Sequence, residues 1–292
     1  MAISRYIVRS FSVSVILLLI LNGTAFSQGT DIRAGGKPKH LFLGFHLGGG
    51  VSELKLTGSS DFTSALPESK SGFSAGIDIG YSFNRFVGLS TGLGLTVASS
   101  SINMNSYSAA YDTTDYEGEK YNRRITGTNI HEDDKFSFLR IPLALNLHIP
   151  FTKGFGLYLQ GGINFCKPLE KSYDATGAFS YTGYYPAYNV TISDIGYEGF
   201  QSDYKANVSG DRTMKSMYNE LFASGGFQIN IGTGTTILIG AYYTTMDAGS
   251  NNTKSSSFRL SSYPGKMKSI MGGATKATIN SAGLKLSMRF YL

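Results

Sequence analysis

Four charged side chains occupy polar positions within segments that otherwise alternate between apolar and small residues: Asp78, Arg140, Lys285 and Arg289. A charge removed from water must be paired or hydrated, so we expect Asp78 to lie beside Lys285 or Arg140. Two kinds of site fit such a set, a structural charge cluster that fills the interior of the fold or a narrow path for ions. The pairing requirement favours the structural cluster.

The nucleophiles and bases of the chain do not form a recognisable catalytic set. Cys166 is the single cysteine and no His accompanies it in a motif, which indicates a structural thiol. His131 precedes the acidic run Glu132-Asp133-Asp134, but no second cluster with metal-ligand spacing follows, so we interpret this run as solvated charge. We predict that the protein is not an enzyme, and we predict no catalytic residue, no metal site and no cofactor.

A tyrosine-rich run stands in the longest polar part of the sequence, and its candidate contact residues are Tyr181, Tyr184, Tyr185 and Tyr188. Tyrosine offers a large apolar face and a hydroxyl at low entropic cost, as in many protein- and sugar-binding surfaces. The rings could instead pack on the fold and order the loop, and the two roles are compatible. We predict that this run is the main contact for a partner.

The elements that must position these side chains are indicated by a two-residue period. Over 73–83 every second residue is large or apolar, and the period restarts over 87–97 after the tight connection Asn84-Arg85. Alternation of this kind predicts two strands of a β-hairpin with different faces. The polar face is mostly Gly, Ser, Thr and Asn rather than Lys and Glu, which suits a narrow, packed lumen better than bulk water.

The same period recurs and predicts an all-β fold, an eight-stranded antiparallel transmembrane β-barrel. The predicted strands are 41–49, 72–83, 86–98, 136–149, 155–165, 220–231, 235–246 and 279–292. Four long extracellular loops (51–71, 99–135, 166–219 and 247–278) alternate with short periplasmic turns. Aromatic girdles are predicted at the periplasmic rim (Tyr81, Phe83, Phe86, Phe151, Phe155, Phe290, Tyr291) and at the outer rim (Phe73, Phe138, Phe165).

The N-terminus has the form of a secretory signal peptide. Arg5 and Arg9 precede the apolar run 11–21 and then Ala25-Phe26-Ser27, which predicts a signal peptide over 1–27. A short periplasmic segment, 28–40, and the barrel domain, 41–292, would follow in the bacterial outer membrane. The formal charge of +6 is not concentrated in any basic patch, so nucleic-acid binding is not expected.

The sequence resembles the PorT-like family of outer-membrane β-barrel proteins over nearly the whole chain after the signal peptide. The resemblance rests on Phe138-Leu139-Arg140-Ile141-Pro142-Leu143, on Gly80-Tyr81-Ser82-Phe83-Asn84-Arg85-Phe86 and on the closing Arg289-Phe290. Family members usually carry Glu where this chain has Arg140. The resemblance implies an integral outer-membrane barrel, some of whose relatives assist secretion or gliding machinery, and it assigns no catalytic residue.

These observations together predict a non-enzymatic outer-membrane barrel that acts through its extracellular loops. It would bind a partner at the surface or serve as an accessory component of an envelope or secretion complex. A small narrow pore is the alternative, and a barrel enzyme is less favoured. The expected surroundings are outer-membrane lipid and lipopolysaccharide, with other envelope or secretion proteins as partners of a monomeric barrel.

Overall fold

A computed structural model describes residues 40–57, 65–232, 234–249, 258–262 and 266–292. The predicted signal peptide, 1–27, and residues 28–39 of the predicted periplasmic segment lie outside these residues. Among the described residues, no helix is long and apolar enough to cross a membrane.

The described chain forms twelve β-strands and two short 3₁₀ turns, Gly196–Glu198 and Ile270–Gly273. The strands are β1 Leu41–Thr57, β2 Ala65–Ser82, β3 Val87–Thr114, β4 Lys120–Pro150, β5 Phe155–Tyr185, β6 Val190–Ile192, β7 Gln201–Asp211, β8 Tyr218–Ile231, β9 Thr235–Asp247, β10 Ser261–Ser262, β11 Lys266–Met267 and β12 Lys276–Tyr291.

Eight of these strands close into an antiparallel barrel. Neighbouring strands pair in the order β1, β2, β3, β4, β5, β8, β9 and β12. Pairing of β12 with β1, with Phe42 opposite Tyr291, closes the barrel. The β2–β3 turn is fixed by Asn84, whose side-chain Oδ1 accepts hydrogen bonds of 2.8 Å from the backbone N–H groups of Phe86 and Val87. The predicted eight-stranded antiparallel barrel is confirmed.

The barrel wall carries apolar side chains outward and polar ones inward near its short-turn end. The outward set includes Phe45, Leu47, Ile77, Ile79, Leu93, Leu95, Leu143, Leu159, Phe227, Ile239 and Leu286, all of them exposed. The inward set includes Asp78, Ser90, Thr96, Asn146, Gln160, Asn164, Ser224, Thr236 and Arg289, all of them buried. This distribution is that of a transmembrane β-barrel, because lipid contacts the outside while the enclosed groups satisfy one another.

Two of the predicted girdle residues face the interior instead. Tyr291 and Phe138 are buried, whereas most of the remaining predicted girdle aromatics, such as Phe83 and Phe290, are exposed on the wall. The prediction was wrong for these two because successive side chains of a strand point to opposite faces. Tyr291 cannot share the outward face of Phe290, and Phe138 shares the inward face of Arg140.

The predicted long loops are largely wrong, because three of the four are replaced by strand over much of their length. β3 continues to Thr114, the connection to β4 spans only 115–119, and β5 runs on to Tyr185. β4 has 31 residues and is about 100 Å long, whereas a strand that crosses a membrane needs only roughly ten residues. We call the part beyond the apolar wall the β-extension; it comprises residues 99–135, 167–217 and the described residues of 247–275.

The β-extension has the opposite polarity to the wall. Its inward face is apolar and forms one buried cluster with the top of the barrel, including Ile102, Met104, Tyr107, Ile125, Ile130, Phe136, Phe138, Ala175, Phe179, Tyr181 and Ile270. Many of its outward residues are polar, such as Arg124, Thr126 and Thr128. Burial of apolar side chains drives folding in water, so this polarity identifies a water-exposed structure built on the same strands that line the membrane part.

Candidate functional site

The four predicted charges all point into the barrel lumen, but Asp78 has a different partner from the predicted ones. His46 Nδ1 lies 2.9 Å from Asp78 Oδ2, so Asp78 is bound to His46 on the neighbouring strand β1 and not directly to Lys285 or Arg140. Both side chains face inward from adjacent strands, and His46 stands two residues along β1 from Gly44, the residue that pairs with Asp78. A lateral partner is therefore closer than one across the lumen.

Arg140 belongs to a second group that includes a residue not singled out from the sequence. Its Nη2 donates to Glu220 Oε1 at 2.5 Å, and Asn164 Nδ2 donates to the other oxygen, Oε2, at 2.6 Å. The thiol of Cys166 is buried 3.9 Å from the same carboxylate. Glu220 is the first residue of the predicted strand 220–231 and belongs to the inward-facing half of its alternating positions. This alternation was the signal in the sequence that could have placed Glu220 in the lumen.

Lys285 and Arg289 extend from β12 to the opposite side of the lumen. Lys285 Nζ donates to Gln160 Oε1 on β5 at 3.0 Å. Arg289 donates to Asn146 Oδ1 on β4 at 2.7 Å, and its guanidinium lies 4.5 Å from the ring centroid of Phe42. These contacts connect strands that are not neighbours in the barrel, so the lumen is bridged by side chains.

Apolar layers enclose this polar middle from both ends. Phe136 and Phe138 stack on the β-extension side with ring centroids 6.2 Å apart, and Phe42 and Tyr291 pack 5.5 Å apart at the short-turn end. Between them lies a cavity of about 60 Å³, lined by His46, Asp78, Thr96, Arg140, Gln160, Asn164, Tyr242, Thr244 and Lys285 among others. This volume is sufficient for a few waters or a small ion.

The tyrosine run is divided between the core and the surface. Tyr181 and Tyr185 are buried, and Tyr184 is half-buried, with Arg124 4.5 Å from its ring centroid. Of the four, Tyr188 alone is well exposed, at 61%. The prediction that Tyr181 and Tyr185 meet a partner is therefore corrected, because both rings face the apolar interior of the β-extension.

The tip of the β-extension is held by an aromatic cluster. Tyr121 and Tyr185 stack with ring centroids 5.1 Å apart, and Phe200 packs edge-on against Tyr121. Burial raises the pKa of Tyr185, and its hydroxyl, which donates to Asp115 Oδ2 at 3.2 Å, keeps its proton. The cluster fixes the two neighbouring turns at the tip.

Exposed rings surround that cluster. Tyr116 is 75% exposed and Tyr197 is 81% exposed, and they share the tip with Tyr188. Tyr188 donates a hydrogen bond of 2.7 Å to Glu119, and Tyr116 donates one of 3.1 Å to Glu117. These hydrogen bonds orient rings that the rest of the fold leaves open to solvent.

The prediction of solvated charge after His131 is wrong for two of the three acidic residues, while Asp133 between them is partly exposed. Glu132 and Asp134 are fully buried and share one cation, Arg212, whose Nη2 lies 2.5 Å from Glu132 Oε1 and whose Nε lies 3.0 Å from Asp134 Oδ1. Glu132 Oε2 also accepts the backbone N–H of Ile270 at 2.7 Å. Arg212 is 80 residues from Glu132, and the sequence does not reveal that pairing.

Burial and the nearby carboxylate of Glu132 together raise the pKa of Asp134 to about 7, against the opposing effect of Arg212. One guanidinium thus faces two buried carboxylates. Within the described ranges, no group of three or more His, Cys, Asp or Glu side chains is arranged to hold a metal ion.

Comparison with known proteins gives structural similarity alone. No protein-family model matches the chain, and no curated protein matches it. Solved structures that match include the outer membrane protein OprG from Pseudomonas aeruginosa (13% identity, 89% of this chain and 98% of that chain, TM-score 0.34). Neisserial surface protein A matches at 11% identity over 86% of this chain and 97% of that chain, with a TM-score of 0.34.

A third match is the attachment invasion locus protein Ail of Yersinia pestis, at 11% identity over 86% of this chain and 99% of that chain, with a TM-score of 0.29. At these identities and TM-scores the matches add no argument to what the strand pairing shows. The resemblance to the PorT-like family stays a prediction.

Proposed function

We propose that this protein is a non-enzymatic integral barrel of the bacterial outer membrane that binds a partner through its β-extension. The short turns, the start of β1 and the end of β12 would face the periplasm, and the β-extension would stand outside the cell. Membership of the PorT-like family, and with it a role beside an envelope or secretion complex, is the finer form of this proposal.

The observation that carries the proposal is the contrast between a lumen filled by side chains and a tall, folded β-extension. Apolar ring pairs lie at both ends of the polar lumen, and the charges between them are held by side-chain hydrogen bonds across the barrel. Strand β4 alone continues for 18 residues beyond Phe138, in a region with its own apolar core. Such a core positions a surface rigidly, which lowers the entropic cost of binding.

The contact surface in this proposal is the tip, not the whole tyrosine run. Tyr116, Tyr188 and Tyr197 present their rings to solvent while the cluster of Tyr121, Tyr185 and Phe200 holds the turns beneath them. Exposed tyrosines on a rigid support are typical of protein- and sugar-binding surfaces. Lipopolysaccharide would surround the lower part of the β-extension of a monomeric barrel.

The test is crosslinking in the native outer membrane, followed by purification of the protein and mass spectrometry of what accompanies it. The triple variant Y116S/Y188S/Y197S should lose a stoichiometric partner while keeping heat-modifiable mobility in detergent gels. The control is M217A, which removes an exposed apolar side chain at the base of the β-extension, and it should retain the partner. Equal recovery of the partner with both variants would refute the tip as the contact surface.

A narrow pore is the second candidate, favoured by the charged side chains around the lumen cavity. An ion that crosses the lumen must pass the rings of Phe136 and Phe138 at one end and those of Phe42 and Tyr291 at the other. Planar-bilayer recording of the purified barrel distinguishes the two. Steady conductance that disappears with D78A would support the pore and oppose a closed barrel.

A further inference from the structure

The lumen between the two apolar layers holds more positive than negative charge. Its inward-facing cations, among the described residues, are Arg140, Lys285 and Arg289, and its carboxylates are Asp78 and Glu220. Each carboxylate already has a partner, Asp78 with His46 and Glu220 with Arg140. One positive charge is left over if His46 is neutral, and two if His46 is protonated.

The nearest excess of negative charge lies too far away to neutralise the positive charge of the lumen. In the β-extension, Glu132 and Asp134 share the single cation Arg212, which leaves one negative charge there. Asp134 and Arg140 are six residues apart on β4, about 20 Å along the strand, with Phe136 and Phe138 between them. At that distance the attraction between two unit charges is far weaker than the cost of enclosing an unpaired ion.

Donors without partners line the cavity of about 60 Å³ in the same place. Among the described residues, the buried side-chain atoms that lack a hydrogen-bond partner include Thr96 Oγ1, Arg140 Nε and Thr244 Oγ1, and all three residues line this cavity. Lys285 lines it too and uses one of its three N–H groups on Gln160. Buried polar atoms in native proteins are normally satisfied, so these donors point to an acceptor in the cavity.

From the unbalanced charge and the unused donors we infer that the lumen cavity binds a small monovalent inorganic anion, such as chloride. The ion accepts hydrogen bonds from unused donors of this set, and the long side chains of Arg140 and Lys285 supply the positive charge beside it. Water satisfies the same donors but leaves the positive charge uncompensated. Held between Arg140 of β4 and Lys285 of β12, the anion links strands on opposite sides of the lumen and acts as a structural ion.

Two measurements on the purified full-length barrel test this inference. Crystals grown in sodium bromide should give an anomalous peak beside Lys285 Nζ. In solution, the thermal unfolding midpoint, followed by circular dichroism, should rise with chloride when chloride replaces gluconate at constant ionic strength. Above the dissociation constant we expect roughly 3–6 °C for each tenfold increase in chloride.

The variant K285M removes the excess charge and should abolish both the bromide peak and the chloride dependence. The matched control K70M changes a lysine of the β-extension side that pairs with Asp133, and it should keep the wild-type dependence. If K285M does not fold, T96V/T244V removes two donors at nearly constant volume and should shift the dependence to higher chloride. A lumen without bromide, or a K285M barrel with the wild-type chloride dependence, overturns the inference.

Discussion

Removal of the cation from the buried carboxylate pair of the β-extension should unfold part of it without unfolding the barrel. In R212M, Glu132 and Asp134 lose the guanidinium that donates to both of them and to Ser269. Truncating one side of a buried ion pair costs about 3–5 kcal/mol, because the remaining charge is neither hydrated nor compensated. At about 1.4 kcal/mol per tenfold, local opening should become roughly 10²–10³·⁵ times more frequent.

Hydrogen exchange with mass spectrometry measures that opening segment by segment. At pH 8, amides of 201–217 and 268–275 should exchange faster in R212M, because Arg212 joins the end of β7 to the Ile270–Gly273 turn through Glu132. Amides of the membrane part of β1 and β12 should be unchanged. At pH 5 the difference should shrink, since the raised pKa of Asp134 lets this carboxylate take up a proton and lose its uncompensated charge.

The control for this experiment is K70M, which removes the cation from Asp133, the residue between the two buried carboxylates. That pair has its atoms 2.6 Å apart, but both side chains are more than a third exposed, so its loss should cost at most about 1 kcal/mol. Equal exchange in R212M and K70M would refute the argument that burial determines the cost.

Three further predictions concern single positions. The pKa of Asp134 is raised from 3.8 to about 7, so its contribution to stability is greatest below pH 4 and is lost as the pH rises through 7. In thermal melts recorded at several pH values, D134N should flatten this dependence. A wild-type melting temperature that does not change over this pH range would contradict the prediction. F138A should lower the unfolding free energy by about 3–5 kcal/mol, because this fully buried ring would leave a cavity, and an unfolding midpoint equal to that of the wild type would contradict it. In G183A the new Cβ would clash with Phe200 Cζ, which should lower the stability of the 190–200 segment by about 1–3 kcal/mol. Amides of this segment should then exchange faster with solvent. Exchange as slow as in the wild type would refute the clash.

The two-residue period of the sequence determined the barrel and its strand number. Lipid imposes one rule on every membrane strand, apolar outward and small or polar inward, so segments such as 73–83 and 87–97 reveal their faces locally. The same parity placed Asp78, Arg140, Lys285 and Arg289 inside the lumen. Their individual partners did not follow, because a register between strands distant in sequence decides that His46 meets Asp78 and that Glu220 meets Arg140.

The β-extension was decided by the tertiary structure. Beyond the membrane, water replaces lipid and the apolar face turns inward, so the same strands continue with inverted polarity and resemble polar loops in sequence. Tyr181 faces the core for this reason, while Tyr188 lies in a turn outside the strand and stays exposed. Burial of Glu132 and Asp134 depends on Arg212 from a distant segment. The sequence alone determined which residues alternate; the surrounding medium and the long-range pairing determined which face is inside.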